Sequence, residues 1–424
     1  MKQTYRFERM PELAGATLTV TSRGPLVTVW PRGFRSPRAL FLSLLFFFWL
    51  NVIRPIESGA QGNLYSLYFP PVPSPAQART VESFLRKWLV ADPAPMAATV
   101  AVTTRCQYRC GHCSAAGVDD RPELDADALR RVVAECLDLG VHVVTFTGGE
   151  PLLRDDLEEL IATVPPELAT TLVFTNAHGL DAARSRSLRR AGLFGVHVSL
   201  DSPDPATHDR LRGCEGAFAR VERGVHAALD AGLKVGLSTY ATPASVASGD
   251  LFRLSALAHR WGVHEVTVFD AIPTGRQLHD DHVPLTPADH VTVVRQARRA
   301  TRRARRRPRV VSQSWTNRRG GCARYIGCLG AGFQVHVTAQ GDVTPCDFTP
   351  LSFGNVADEP LATIWRRMTT HPEYRHHSVA CRMQDPGFRA RYIDTIPAGA
   401  SLPHPIAELD RTAAGDAAAT HSSG

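Results

Sequence analysis

The segment AATVAVTTRCQYRCGHCS, residues 97–114, governs how the rest of the chain is read. Its first half is a short run of small and β-branched apolar residues ending at Val102, and its second half sets Cys106, Cys110 and Cys113 in the spacing CxxxCxxC. A strand followed at once by three closely spaced thiols lets them converge on one small inorganic group, and cysteine thiolate is the usual ligand of iron-sulfur centres. A four-iron cluster held by three protein ligands leaves one iron open, where a small molecule can bind and react. A zinc site more commonly asks for four ligands from paired CxxC or Cys/His spacings. His112 is the available fourth ligand, but it lies between Cys110 and Cys113, where the loop is too tight for all four groups to converge easily.

Outward from this segment one unit recurs as far as about residue 304: an amphipathic helix, a glycine, then a β-rich run. Residues 125–139 align Leu129, Val132, Val133, Cys136 and Leu137 on one helical face and stop at Gly140 before VHVVTFT. Helices predicted over 182–191, 217–231 and 251–261 stop in the same way at Gly192, Gly232 and Gly262. The strands fall at 98–103, 141–147, 171–175, 195–200, 234–240 and 264–271. Alternation at this spacing predicts a parallel sheet with right-handed crossovers. Six strands fall short of the eight that close a barrel, so the expected fold is α/β, a partial (β/α)6 TIM-like barrel. Reactive groups in such folds sit at the C-terminal ends of the strands. The cysteine loop, Gly148, Gly149 and Glu150, Thr175 and Asn176, Ser199 and Asp201, and Ser238 to Tyr240 all fall there. Singly each is weak, because GGEP can be an ordinary turn and a Ser or Asp after a strand is often the next helix cap. Together they mark one rim.

Over residues 97–276 the chain resembles the radical S-adenosylmethionine (radical SAM) superfamily. The resemblance rests on CxxxCxxC at Cys106, Cys110 and Cys113, TGGEP at 147–151 and SLD at 199–201, in that order. It implies that the three cysteines hold a [4Fe-4S] cluster whose open iron is chelated by S-adenosylmethionine. It further implies that His112 lies near the adenine, that Gly148, Gly149 and Glu150 meet the methionyl ammonium, and that Asn176, Ser199 and Asp201 lie near the ribose or carboxylate. One-electron reduction would then cleave the cofactor to methionine and a 5'-deoxyadenosyl radical, which abstracts hydrogen from a substrate. No residue is assigned to catalysis beyond these.

A second group of cysteines, Cys322, Cys328, Cys346 and Cys381, follows an arginine-rich helix expected over 289–308. FQVHVTAQGDVTPC reads as a β-hairpin, with Phe333, Val335 and Val337 alternating, Gly341 at the turn, and Cys346 delivered at its end. This region resembles the SPASM and twitch extensions, small α+β domains that bind auxiliary iron-sulfur clusters. The resemblance implies one auxiliary [4Fe-4S] cluster with these four cysteines as ligands; zinc on the same thiols is the competing reading. Where the ligands of a second auxiliary cluster would lie, the chain has His371, His376 and His377.

The first ninety-five residues carry no catalytic motif. Their apolar run ALFLSLLFFFWLNVI, residues 39–53, is 15 residues long, whereas a spanning helix needs about 20. Bounded by Arg38 and Arg54, it reads either as a helix buried against the main domain or as an interfacial helix meeting anionic headgroups. The expected domains are therefore an extension at 1–95, a radical SAM core at 96–305, an auxiliary cluster domain at 306–395 and a disordered tail at 396–424.

Nine cysteines, an odd number gathered mainly in two groups, argue against a secreted disulfide framework and for a reducing compartment, hence the cytoplasm with a peripheral membrane contact open. The net charge of +7 does not choose a partner, and nine arginines over 295–309 without interleaved aromatic residues give poor support to nucleic acid. The expected function is a radical SAM oxidoreductase or maturase reduced by flavodoxin or ferredoxin, acting on a peptide, tetrapyrrole or natural product. The alternative is a non-catalytic iron-sulfur electron carrier or scaffold, which would have no use for the GGE segment.

Overall fold

Apolar runs of four to eight residues, separated by helices that each bury one stripe, assemble here into a single parallel sheet. The structure is a computed structural model, and it describes residues 1–7, 9–90, 94–117, 121–280, 284–304, 307–313 and 327–411. The N-terminal extension comprises β1 (Lys2–Arg6), β2 (Thr17–Arg23), β3 (Leu26–Arg32), α1 (Pro37–Val52), the hairpin β4 (Glu57–Gly59) and β5 (Gly62–Leu64), and α2 (Pro75–Leu89). The main domain runs β6 (Ala97–Ala101), α3 (Ala126–Leu139), β7 (Val143–Thr147), α4 (Leu157–Ala162), β8 (Thr170–Thr175), α5 (Ala182–Arg190) and β9 (Gly195–Ser199). It continues with α6 (Pro205–Arg212), α7 (Ala217–Asp230), β10 (Lys234–Ala241), α8 (Pro243–Ser248), α9 (Asp250–Arg260), β11 (Glu265–Asp270), α10 (Pro287–Arg303) and β12 (Arg309–Ser312). The C-terminal part holds β13 (Gln334–Val337), β14 (Val343–Thr344), β15 (Leu351–Ser352), α11 (Leu361–Thr370) and β16 (His404–Pro405).

The main sheet has the order β12-β11-β10-β9-β8-β7-β6-β13-β14. Strands β6 to β11 are the six expected ones, all parallel, and helix ends are punctuated as the sequence indicates. Asp125 caps α3 by accepting from Ala128 N, and Gly140, at φ 110°, ends it in the left-handed region. Val100, Val144, Phe146, Val196, Val198 and Val235 form the core between sheet and helices.

Two expected boundaries need correction. β12 adds a seventh parallel strand beside β11, with Glu265 opposite Arg309, so the core does not end at residue 305. Across the sheet, β13 pairs in parallel with β6, placing Gln334 opposite Ala97, so the C-terminal hairpin extends the barrel sheet itself. The tail predicted to be disordered from 396 is ordered as far as 411. There β16 pairs with β15, and Leu402, Ile406 and Leu409 are buried. Residues 412–424 lie outside the described residues.

The extension closes the end of the barrel opposite the strand C-termini. Leu64 and Leu67 pack against Val143 and Leu172, and the Tyr68 ring stacks on His197 at 4.7 Å between centroids. Glu57 of β4 meets Lys234 Nζ at 2.7 Å and His264 Nε2 at 3.2 Å. Those partners, His264 first, hold its carboxyl down at about 2 despite partial burial.

The apolar run forms α1, and its buried face packs on β3 and α2 of the extension, not on the main domain as expected. Ala39, Ser43, Phe47 and Leu50 are buried against the extension, while Phe41, Leu44, Phe48, Trp49 and Val52 are exposed. Among the described residues no helix is long and apolar enough to cross a membrane.

Candidate functional site

The cysteine loop leaves β6 at the mouth of the barrel and is pinned at its base. Glu123 Oε1 accepts from Thr104 N at 2.7 Å, from Thr104 Oγ1 at 2.6 Å and from Thr103 Oγ1 at 3.1 Å. The turn after β7 then lies directly against it: Gly149 N donates to Thr103 O at 2.7 Å and Glu150 N to Arg105 O at 2.8 Å. This approach requires both glycines. A Cβ on Gly148, at φ +131°, would stand 2.2 Å from Thr103 O, and one on Gly149 would stand 2.3 Å from Arg105 O. The GGE segment is thus a backbone brace for the loop carrying the thiols.

The sulfurs themselves receive donors from three directions. Tyr108 N lies 3.5 Å and Asn176 Nδ2 3.7 Å from Cys106 Sγ, and Arg212 Nη1 lies 3.8 Å from Cys110 Sγ. Burial pushes the Cys106 and Cys110 thiols up, and the neighbouring thiols push in the same direction. These two groups are therefore thiols without a ligand, and a positively charged group bound there would favour their thiolates. Among the described residues no three His, Cys, Asp or Glu side chains are grouped to hold a single metal ion.

Glu150 is fully buried. One carboxylate oxygen accepts from Thr175 Oγ1 at 2.7 Å and Leu152 N at 3.1 Å, the other from Asn176 N at 2.8 Å. Burial raises its pKa to about 7 against these donors. Its carboxylate therefore braces β8 and the 150–153 turn.

Around His112 the chain builds a wall that the sequence reading only partly found. Its ring lies on that of Tyr240, 4.2 Å between centroids, and Nε2 is 3.5 Å from Asp201 Oδ2. Burial lowers His112 to about 4, so the ring is neutral at pH 7. Asp201 is gripped by Arg212, Nε to Oδ2 at 2.6 Å and Nη2 to Oδ1 at 2.7 Å. Its backbone N–H donates to His208 Nδ1 at 3.2 Å. Ser199 ends β9 opposite Ser238, and the Asn176 side chain also accepts from Gln107 Nε2 at 3.0 Å. Arg212 went unnoticed in sequence because RLRG at the end of α6 reads as an ordinary basic helix end before a glycine.

At the second cysteine group the hairpin β13–β14 forms as expected, with Gly341 at φ 90° in the turn, and delivers Cys346. Cys346 Sγ is 3.3 Å from Thr349 Oγ1, and Cys328 N donates to Ser378 O at 2.8 Å. Burial pushes Cys346 up to about 12 with Cys328 adding to the effect, and Cys381 rises well above its usual range for the same two reasons, with Cys346 adding as well. Cys328 and Cys346 thus both act on the buried Cys381, while they themselves are only partly buried. Cys322 lies outside the described residues. His371 is engaged elsewhere, 3.0 Å from Asp410. An ammonium from the extension enters this region: Lys87 Nζ lies 3.4 Å from the Phe333 ring centroid.

Residues 100–244 match the family model of the Radical SAM superfamily, and residues 328–385 match that of SPASM, an iron-sulfur cluster-binding domain. The AdoMet-dependent heme synthase of Nitratidesulfovibrio vulgaris is 28% identical over 306 residues, covering 67% of this chain and 83% of that protein. The AdoMet-dependent heme synthase of Methanosarcina barkeri is 27% identical over 291 residues, 64% of this chain and 82% of its own length. Among solved structures, Streptococcus suis SuiB bound to precursor peptide SuiA has the same fold, with a TM-score of 0.56 and 17% identity over 70% of each chain.

Proposed function

Because residues 100–244 belong to the Radical SAM superfamily and residues 328–385 to the SPASM iron-sulfur domains, we propose that Cys106, Cys110 and Cys113 hold the catalytic [4Fe-4S] cluster of a radical SAM enzyme. Cys328, Cys346 and Cys381, with Cys322, hold one auxiliary [4Fe-4S] cluster. Four thiolates closing the auxiliary site suit electron transfer, and three leave the first site reactive. S-adenosylmethionine bound with that cluster would supply, on one-electron reduction, the radical chemistry that removes hydrogen from a bound substrate.

The chain's own residues have separable tasks in this reading. Gly148 and Gly149 set the cysteine loop by backbone contact, and Glu150 braces the turn that carries them. Asn176 and Arg212 donate toward Cys106 and Cys110 and so offset thiolate charge. The neutral His112 ring, held by Tyr240 and Asp201, offers a flat wall to the adenine. Asp201, committed to Arg212, acts on the cofactor through its neighbours, and Ser199 lines the ribose side. The extension keeps water from the barrel floor through Leu64, Leu67 and Tyr68.

A one-electron donor such as flavodoxin or ferredoxin and an organic substrate complete the reaction. The exposed apolar stripe of α1 also favours a peripheral membrane contact. No acidic residue occurs between Glu12 and Glu57, while Arg23, Arg32, Arg35, Arg38 and Arg54 do, a balance that suits anionic headgroups.

The observation that carries the enzyme reading is the locking of the glycine turn onto the cysteine loop, which an electron carrier does not require. Anaerobic reconstitution tests it: about eight irons per chain, and 5'-deoxyadenosine on reduction with S-adenosylmethionine, are expected. Replacing Cys106, Cys110 and Cys113 with Ala should abolish cleavage and leave the second site's iron in place. Four irons and no cleavage in the unaltered chain would defeat the reading.

A further inference from the structure

Only three of the chain's 48 basic residues are lysines: Lys2, Lys87 and Lys234. Two of them tie the extension to the rest of the molecule. Lys234 of β10 receives Glu57 at the barrel floor, and Lys87, in the last turn of α2, reaches toward the second cysteine group. A chain so strongly committed to arginine uses a compact ammonium at a crowded junction, where a forked guanidinium needs more room.

The junction is built tightly. Phe333 O accepts from Met96 N at 2.7 Å and Ala97 N at 3.0 Å, fixing the start of β13 to the start of β6. The turn from Cys328 is closed by Gly332 N, Phe333 N and Gln334 N, all donating to Leu329 O. The Lys87 ammonium lies over the Phe333 ring at 3.4 Å. At Gly332, the point a Cβ would occupy is 3.6 Å from Lys87 Nζ and 3.8 Å from Cys328 O, so the ammonium and the Cys328 peptide flank one point of the turn. Among the described residues Lys87 forms no ion pair with a carboxylate; burial lowers its pKa to about 8, with Cys328 acting in the opposite direction, so the side chain keeps its charge at pH 7.

We propose that Lys87 is a positioning residue by which the N-terminal extension sets the reduction potential of the auxiliary cluster. This rests on the auxiliary-cluster reading above. A cluster carried by four thiolates is negative and becomes more so on accepting an electron. A fixed cation nearby favours the reduced form and raises the potential. The phenyl face and the half-buried lysine stem hold the charge in place, so that the docking of α2 and the poise of the cluster are linked.

The test is a redox titration of the full-length, anaerobically reconstituted protein, each cluster followed by its electron paramagnetic resonance signal. Wild type is compared with Lys87→Met, which keeps most of the stem but loses the charge, with Lys87→Gln as a second neutral variant, and with Lys87→Arg. The auxiliary potential should move negative in both neutral variants and return toward wild type in Lys87→Arg, while the cluster at Cys106, Cys110 and Cys113 keeps its potential. An auxiliary potential unchanged in the neutral variants, or an equal movement of both clusters, overturns the proposal. So does loss of the auxiliary signal in all three variants with the fold intact, since Lys87 would then serve packing alone. Absence of an auxiliary signal from wild type would instead refute the cluster assignment on which the proposal rests.

Discussion

Gly149→Ala is the sharpest probe of the brace between the glycine turn and the cysteine loop. Gly149 does not have a positive φ, so the added methyl costs nothing in backbone conformation and acts through contact alone. Its carbon would stand 2.3 Å from Arg105 O and 2.5 Å from Thr104 O. Both are backbone atoms of the loop between β6 and Cys106, so no side chain can swing aside, and the loop must withdraw by about 1 Å, an overpacking cost of about 1–3 kcal/mol. Withdrawal also strains or breaks the bonds from Gly149 N to Thr103 O and from Glu150 N to Arg105 O, about 1 kcal/mol each. The sum, about 3–5 kcal/mol, falls on one loop. The expected result is loss of the cluster at Cys106, Cys110 and Cys113, with auxiliary iron and melting temperature nearly unchanged. The assay is iron content and visible absorption after anaerobic reconstitution, with 5'-deoxyadenosine yield as the functional readout. Gly192→Ala is the control: at φ +105° with nothing within 4 Å, it carries only a backbone cost of about 1–2 kcal/mol and should keep both clusters. If Gly149→Ala retained full iron and wild-type cleavage, the brace would have no role in cluster binding.

Glu57→Gln should loosen the barrel floor. Lowering the carboxyl from 4.5 to about 2 corresponds to about 3.4 kcal/mol, which 39% exposure of the side chain reduces to about 1–2 kcal/mol. Because the folded-state pKa is depressed, this stabilisation is present above pH 4.5 and lost as the pH falls toward 2. Urea unfolding should therefore separate variant from wild type at pH 7 and narrow the difference to less than half by pH 3; a constant difference across that range would contradict the ion-pair account. Phe41→Glu with Phe48→Glu, both on the exposed stripe of α1, should abolish co-sedimentation with phosphatidylglycerol vesicles at unchanged melting temperature. Failure of wild type to bind such vesicles would reject the membrane contact, and conversion of a wild-type dimer to a monomer by these substitutions would assign the stripe to a second copy of the chain.

The barrel was legible because its signals are local. Each unit carries an apolar stripe, a glycine stop and a β-branched run, and Cys106, Cys110 and Cys113 are spaced within a single loop. β12 escaped because RVVS is four residues long and follows a run of arginines, so that only its neighbour β11 makes it a strand. α1 gave no direction because it is apolar on every side, and only the extension's sheet and α2 decide which face is buried. The order of residues 397–411 comes from partners distant in sequence, with Leu402 N bonded to Gly117 O and His404 N to Pro350 O. The same holds for the site. Gly148 and Gly149 could be picked out by position, but the reason for them, the carbonyls of Thr103 and Arg105, appears only when β6 and β7 lie side by side. Arg212 and Lys87 share that property: each is an ordinary basic residue near a helix end until the fold sets it beside a thiol-bearing segment. Chemistry held in one loop can be read from one sequence, whereas the charges that tune it come from elements far apart in the chain. The extension, which carried no motif, stacks Tyr68 on His197 of the barrel and sets Lys87 over the Phe333 ring at the start of the C-terminal hairpin.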